Sequence, residues 1–127
     1  MNTWCPHCNK HKRENLCREI VATYLGPPSK IRQPEFLKTL EHPKGLELDI
    51  SYYDHGFAIE IQGVQYEKYH EFFHEGDPNN FIKQQERDQL KKKLCGENGI
   101  YLFYIYHNDK DPEKIIQQEL YALGLIN

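Results

Sequence analysis

The apolar residues of this chain change their period along its length. From Lys12 to Leu25, Leu16, Ile20, Val21 and Tyr24 recur at the spacing of an amphipathic helix. Gly26-Pro27-Pro28 then stops it. Ile31 to Glu41 reads as extended chain, with one or two helical turns after Pro34, and His42-Pro43-Lys44-Gly45 as a turn. From Leu46 the period becomes two. Leu46, Leu48, Ile50 and Tyr52 alternate with Glu47, Asp49 and Ser51, which predicts a strand. Asp54-His55-Gly56 supplies turn residues. Phe57, Ile59 and Ile61 then alternate with Ala58, Glu60 and Gln62 in a second strand that Gly63 ends or bends. Residues 66–80, rich in aromatics and histidine, read as an irregular loop. A long helix is expected from Asn80 to Cys95, closed by Gly96 or by Asn98-Gly99. Ile100 to Tyr106 is a continuous apolar run, as in a central strand. A last helix spans Pro112 to Leu123. The order α, β, β, α, β, α predicts an α/β (α+β) fold, a small mixed sheet flanked by helices.

The two adjacent strands can be set in register. With Asp54-His55 as a two-residue loop, Ile50 faces Ile59 and Leu48 faces Ile61, burying one apolar face. The same register sets Asp49 opposite Glu60 on the other face, with Cβ atoms ~5 Å apart. Gln62 follows two residues on. Two carboxylates that close repel each other unless positive charge lies between them. A divalent cation answers this, and oxygen-only ligands suit Mg²⁺ or Mn²⁺. Such an ion can polarise a phosphodiester and activate a water. The plain alternative is a solvated polar face whose acids pair with Lys or Arg.

At 127 residues the chain is sized for one domain, 39% hydrophobic and 28% charged residues mark a globular rather than a disordered chain, and no window approaches ~18 uninterrupted apolar residues, so no membrane span is expected. The net charge of −3 gives nucleic acid no global attraction, so any basic surface must be local. Basic residues do cluster, at residues 10–13 with Arg18, at Lys30 and Arg32, and at Lys83, Arg87 and 91–93. Nine tyrosines and six phenylalanines offer stacking surfaces, though most belong in a core. The N-terminal stretch has no apolar leader, so an intracellular location and reduced cysteines are expected. Residues 1–11 form a Cys/His-rich head before a domain of residues 12–127. Cys5-x-x-Cys8 points to structural zinc first and redox chemistry second. Zinc wants four ligands, and His7, His11, Cys17 or Cys95 are the candidates to complete the set. Cys17 and Cys95 can equally be buried and inert.

The ordered set Leu46-Glu47-Leu48-Asp49, then Ala58-Ile59-Glu60-Ile61-Gln62-Gly63-Val64-Gln65, resembles the core of the PD-(D/E)XK, or restriction-endonuclease-like, nucleases. It is most similar to a branch near the very-short-patch-repair endonucleases. Phe72-Phe73-His74, Gln84-x-x-Arg87-Asp88-x-x-Lys91-x-x-x-Cys95 and Gly99-Ile100-Tyr101-Leu102 extend the likeness from about Arg13 to Tyr106. The resemblance implies that Asp49 and Glu60 bind the catalytic metal. Gln62 stands where many relatives have a lysine, and Tyr66 where the branch has histidine. Glu14 matches an extra acid on the first helix, with Glu19 its rival. His74, or His70, is then the candidate general base, which needs only reach and a pKa near neutrality. Gln84 and Lys91 are expected at the scissile region with Asp88 orienting Lys91, and Gln65, Arg87 and Lys92 on the nucleic acid. In relatives a zinc-ribbon-like segment often precedes the core.

The expected activity is Mg²⁺-dependent hydrolysis of phosphodiester bonds in DNA, duplex or branched, by a monomer or homodimer. No recognition helix or β-ribbon reader is evident, which favours recognition of DNA structure or a short motif over extended base readout. RNA is an alternative substrate. The rival readings are a catalytically inactive nucleic-acid binder and a zinc-stabilised protein-interaction module.

Overall fold

The computed structural model describes residues 6–62, 78–106 and 108–127, with backbone alone for 6–10 and 78–81. Its helices are α1 (Pro6–Leu25), α2 (Pro78–Glu97) and α3 (Pro112–Ala122). Its strands are β1 (Ile50–Tyr52), β2 (Phe57–Gln62) and β3 (Tyr101–Tyr106). Single 3₁₀ turns occupy Glu35–Leu37 and Tyr53–His55. The sheet order is β1-β2-β3, with β1 antiparallel and β3 parallel to β2. The protein is thus a mixed α+β fold on a small mixed sheet. Helix α2 forms the crossover that a parallel pair requires.

Alternation along the strands divides the core in two. Phe57, Ile59 and Ile61 of β2, Phe103 and Ile105 of β3, and Ile50 and Tyr52 of β1 pack on Cys17 and Val21 of α1 and on Ile116 and Leu120 of α3. Phe57 lies between Tyr52 and Phe103, its ring centroid 5.2 Å and 6.1 Å from theirs. On the opposite face, Ala58 and Leu102 pack on Leu37, Leu46, Leu48, Cys95 and Ile100, with Leu90 and Leu94 of α2 against them. Helix α3 opens with a defined cap: the Asp111 side chain accepts from the Lys114 N–H at 3.1 Å and Pro112 follows.

The predicted Ile50–Ile59 register is present. Four details differ. The hairpin loop is four residues, Tyr53 to Gly56, because Gly56 at φ +76° closes a 3₁₀ turn. The first strand is shorter than the run from Leu46. Leu46 N–H donates to Leu37 O and Leu48 N–H to Arg32 O, at 3.0 and 3.1 Å. The chain therefore turns away from β2 at Asp49, and Leu48 is buried in the second cluster rather than opposite Ile61. On α1 the buried stripe is Glu14, Cys17 and Val21, while Leu16 and Tyr24 are exposed, because the helix starts at Pro6 and meets the sheet along a neighbouring face. That helix begins at Pro6, ahead of the expected Lys12. Finally, β2 is the central strand and β3 an edge among the described residues, with Tyr101 and Tyr106 at its exposed ends.

Candidate functional site

The backbone ladder between β1 and β2 stops at Ile50, and two carboxylates take over from it. The Asp49 N–H donates to Glu60 Oε2 at 2.8 Å, and the Ile61 N–H donates to Asp49 Oδ2 at 2.9 Å. Each acid accepts a backbone donor from the other's strand that would otherwise be stranded as the strands part. This interlock holds the two acids side by side, as the register predicted.

Three helix and loop positions bring cations to them. Lys91 of α2 places Nζ 2.6 Å from Glu60 Oε1. Arg18 of α1 donates to Glu14 Oε2 at 2.8 Å and to the Asp49 carbonyl oxygen at 2.9 Å. Arg32 lies between the acids, with Nη2 3.6 Å from Glu14 Oε2 and 3.8 Å from Asp49 Oδ1. Glu14 and Glu60 are 6% and 5% exposed, so these charges sit out of water and their partners matter. Burial, then the charge of Asp49, pushes the Glu60 carboxyl up to about 7, against the opposing pull of Lys91. Glu60 is therefore the acid poised to change charge near neutrality.

The donor set fits a hard divalent cation. Asp49 and Glu60 offer oxygens only; burial first and the Asp49 charge second raise Glu60, and a bound cation would offset both. Among the described residues no group of three or more His, Cys, Asp or Glu side chains is gathered as a metal cage.

The other expected positions separate. Glu14 faces the acids and Glu19 is exposed. Gln62 follows Glu60 on the α2 side of β2 and lines a recess with Gln85, Asp88, Gln89, Lys92, Tyr104 and Tyr106. Arg87 lines a different groove, with Glu41, His42, Lys83, Glu86 and Leu90. Gln84 is exposed. Gln65, Tyr66, His70 and His74, and the side chains of Cys5, His7 and Cys8, lie outside the described residues. Cys17 and Cys95 are free, fully buried and in different core clusters, and burial raises both thiols to about 11. Their clusters lie on opposite sides of the sheet, so one zinc cannot take both. His11 is exposed on α1. Arg18 and Arg32 were not singled out as site residues. The i,i+4 spacing of Glu14 and Arg18 was a usable signal; nothing local marks Arg32.

A groove of about 380 Å³ abuts Asp49 on the side away from the recess, lined by Arg18, Lys30 and Arg32 with Pro27, Pro28 and Ser29. The described residues include no helix long and apolar enough to cross a membrane.

No family model matches the chain, and no solved structure matches it. It is similar to three curated viral proteins. It is 30% identical to uncharacterized protein 033L of Invertebrate iridescent virus 3 over 87% of this chain and 57% of that protein. It is 28% identical to uncharacterized protein 307L of Invertebrate iridescent virus 6 over 90% of this chain and 65% of that protein. The chain thus spans less than two thirds of these two relatives. It covers 72% of uncharacterized protein 094L of Frog virus 3, using 88% of its own length at 32% identity. At that identity and coverage, the chain belongs to the family of viral proteins that includes protein 094L of Frog virus 3.

Proposed function

We propose that the chain is a metal-dependent endonuclease that hydrolyses phosphodiester bonds in DNA, built on a restriction-endonuclease-like core. One observation carries this reading: Asp49 and Glu60 interlock through each other's backbone where two strands part, with Lys91 on Glu60. Asp49 and Glu60 would hold the cation, Mg²⁺ or Mn²⁺. When bound, it supplies Lewis-acid polarisation of the phosphodiester and lowers the pKa of an attacking water.

The remaining work falls to the chain's own residues. Lys91 keeps Glu60 from being fully protonated and supplies the positive charge that Gln62, in the expected lysine position, lacks. A pre-placed ammonium of this kind stabilises charge developing on a phosphate. Gln62 can orient water or phosphate through its amide. Glu14, through Arg18 and Arg32, fixes where Asp49 sits. Lys30 and Arg32 border the groove beside Asp49 and can hold backbone phosphate. Structural zinc at Cys5 and Cys8 is part of the same reading.

A second reading also has its observation. Every oxygen of Asp49 and Glu60 already faces an N–H or a cation of the chain: Lys91, Arg32 and the two backbone donors. A catalytically inactive nucleic-acid binder would keep that closed network. Cleavage separates the two. Wild type, Asp49→Ala and Glu60→Ala are incubated with Mg²⁺ or Mn²⁺ on single-stranded, duplex, mismatched and branched DNA. The enzyme reading expects cleavage by wild type alone. Binding without cleavage on all substrates supports the inactive binder, and no binding at all supports a protein-interaction module.

A further inference from the structure

The two flanks of the Asp49–Glu60 pair are chemically unlike. Beside Asp49 lies the groove bordered by Arg18, Lys30 and Arg32, which offers cations and no aromatic ring. Beside Glu60 lies a recess of about 190 Å³, formed by Gln62, Gln85, Gln89, Lys92, Tyr104 and Tyr106. The parallel register places Tyr104 next to Glu60 and Tyr106 next to Gln62. Neighbouring strands run about 4.8 Å apart, and same-face residues along one strand about 7 Å. The recess therefore begins one side chain from the carboxylates.

Its lining is that of a base site. Three primary amides each donate and accept, as the edges of nucleobases do. The Tyr104 and Tyr106 rings are 6.3 Å apart and inclined by 33°. That gap does not admit a third ring between them, but Tyr106 is 47% exposed and presents a ring surface for stacking. Burial, with Asp88 and Glu60 nearby, raises the Tyr104 phenol to about 12, so it remains a hydrogen-bond donor. A base inside a duplex has its edge taken by its partner and its faces by its neighbours. Only an unpaired base can offer both edge and face to this recess.

We propose that the recess formed by Gln62, Gln85, Gln89, Lys92, Tyr104 and Tyr106 receives one unpaired nucleobase, while the Arg18–Lys30–Arg32 groove takes the adjoining backbone. The substrate class is then DNA with an unpaired nucleotide next to the scissile phosphate. This rests on the nuclease reading for the placement of nucleic acid at Asp49 and Glu60.

The test uses the full chain and three otherwise identical duplex probes. One carries a single unpaired 2-aminopurine, one is fully paired, and one carries an abasic unpaired position. Binding is measured by anisotropy in EDTA, and cleavage separately in Mg²⁺ and Mn²⁺. Wild type should bind the unpaired base about 5- to 150-fold more tightly than the other two probes, the range for one stacked base. 2-Aminopurine fluorescence should fall on binding. Tyr106→Ala should erase the preference and Tyr106→Trp retain it. Tyr106 lies at an exposed edge, and circular dichroism checks that both variants fold. Equal affinity for the three probes, or an unchanged preference in Tyr106→Ala, overturns the proposal. If all probes are then still cleaved, the nuclease reading stands without it. A preference for the unpaired base without cleavage supports the recess and refutes hydrolysis. Neither binding nor cleavage of any probe overturns both.

Discussion

Glu60→Gln removes a buried charge while keeping the shape of the side chain. In the wild type, burial and the Asp49 charge raise this carboxyl from 4.5 to about 7, and Lys91 pulls it back. An unfolded chain ionises the group near its ordinary value. Between the two values the folded state holds a proton that the unfolded state has lost, so stability falls as pH rises. At 1.36 kcal/mol per pH unit the loss reaches about 3 kcal/mol by about pH 8. Below the unfolded value both states are protonated and the loss vanishes. Glutamine has no such proton. Its amide oxygen can still accept from the Asp49 N–H. The pull of Lys91 is already contained in the wild-type value of about 7, so what remains, glutamine against the protonated acid, is an offset that does not vary with pH. Urea unfolding of both proteins from about pH 4.5 to about pH 8 is the assay. The difference in unfolding free energy should move by about 3 kcal/mol toward the variant as pH rises. Comparing the two proteins cancels titrations that they share. A difference that stays flat, or that moves toward the wild type, would refute the buried-repulsion account of this pair.

Three other outcomes follow from the same structure. Mg²⁺ should raise the Tm of wild type above neutral pH but not that of Asp49→Asn or Glu60→Gln; at 100 times Kd the stabilisation is about 2.7 kcal/mol. It should fade as Glu60 protonates below about 7, and equal stabilisation of all three proteins would place the cation elsewhere. Cys17 and Cys95 are buried with thiols raised to about 11, so a disulfide reagent at neutral pH should leave both unmodified in the native protein and reach all four cysteines once it unfolds. Rapid native labelling of Cys17 or Cys95, mapped by peptide mass, would contradict that packing. Phe57→Ala empties the stack between Tyr52 and Phe103 and should lower stability by about 3–5 kcal/mol in denaturant titration; a cost below about 1 kcal/mol would show that this layer collapses freely.

The sequence by itself determined what depends on near neighbours. The alternation around Ile50 and Ile59 allows one register, because a one-residue slip would expose the apolar face. Asp49 and Glu60 were therefore legible as adjacent before any fold was known. The helices after Gly63, and the apolar run of β3, were legible by period and by their glycine and proline stops. Tertiary structure decided what depends on which surfaces meet. Leu48 fits either face by pattern, and it turned to the second cluster because Arg32 and Leu37 offered its segment backbone acceptors. The buried stripe of α1 passes through Glu14 and Cys17, polar and small, where the apolar count favoured Leu16 and Tyr24. The apolar run of β3 read as a central strand, yet β2 holds the centre. Apart from the local Glu14–Arg18 pair, the pairing of Arg32 with Glu14 and Asp49 and of Lys91 with Glu60 joins residues far apart in the chain. Long-range charge pairing leaves no periodic trace in a sequence, because it is set by where elements pack rather than by spacing along them.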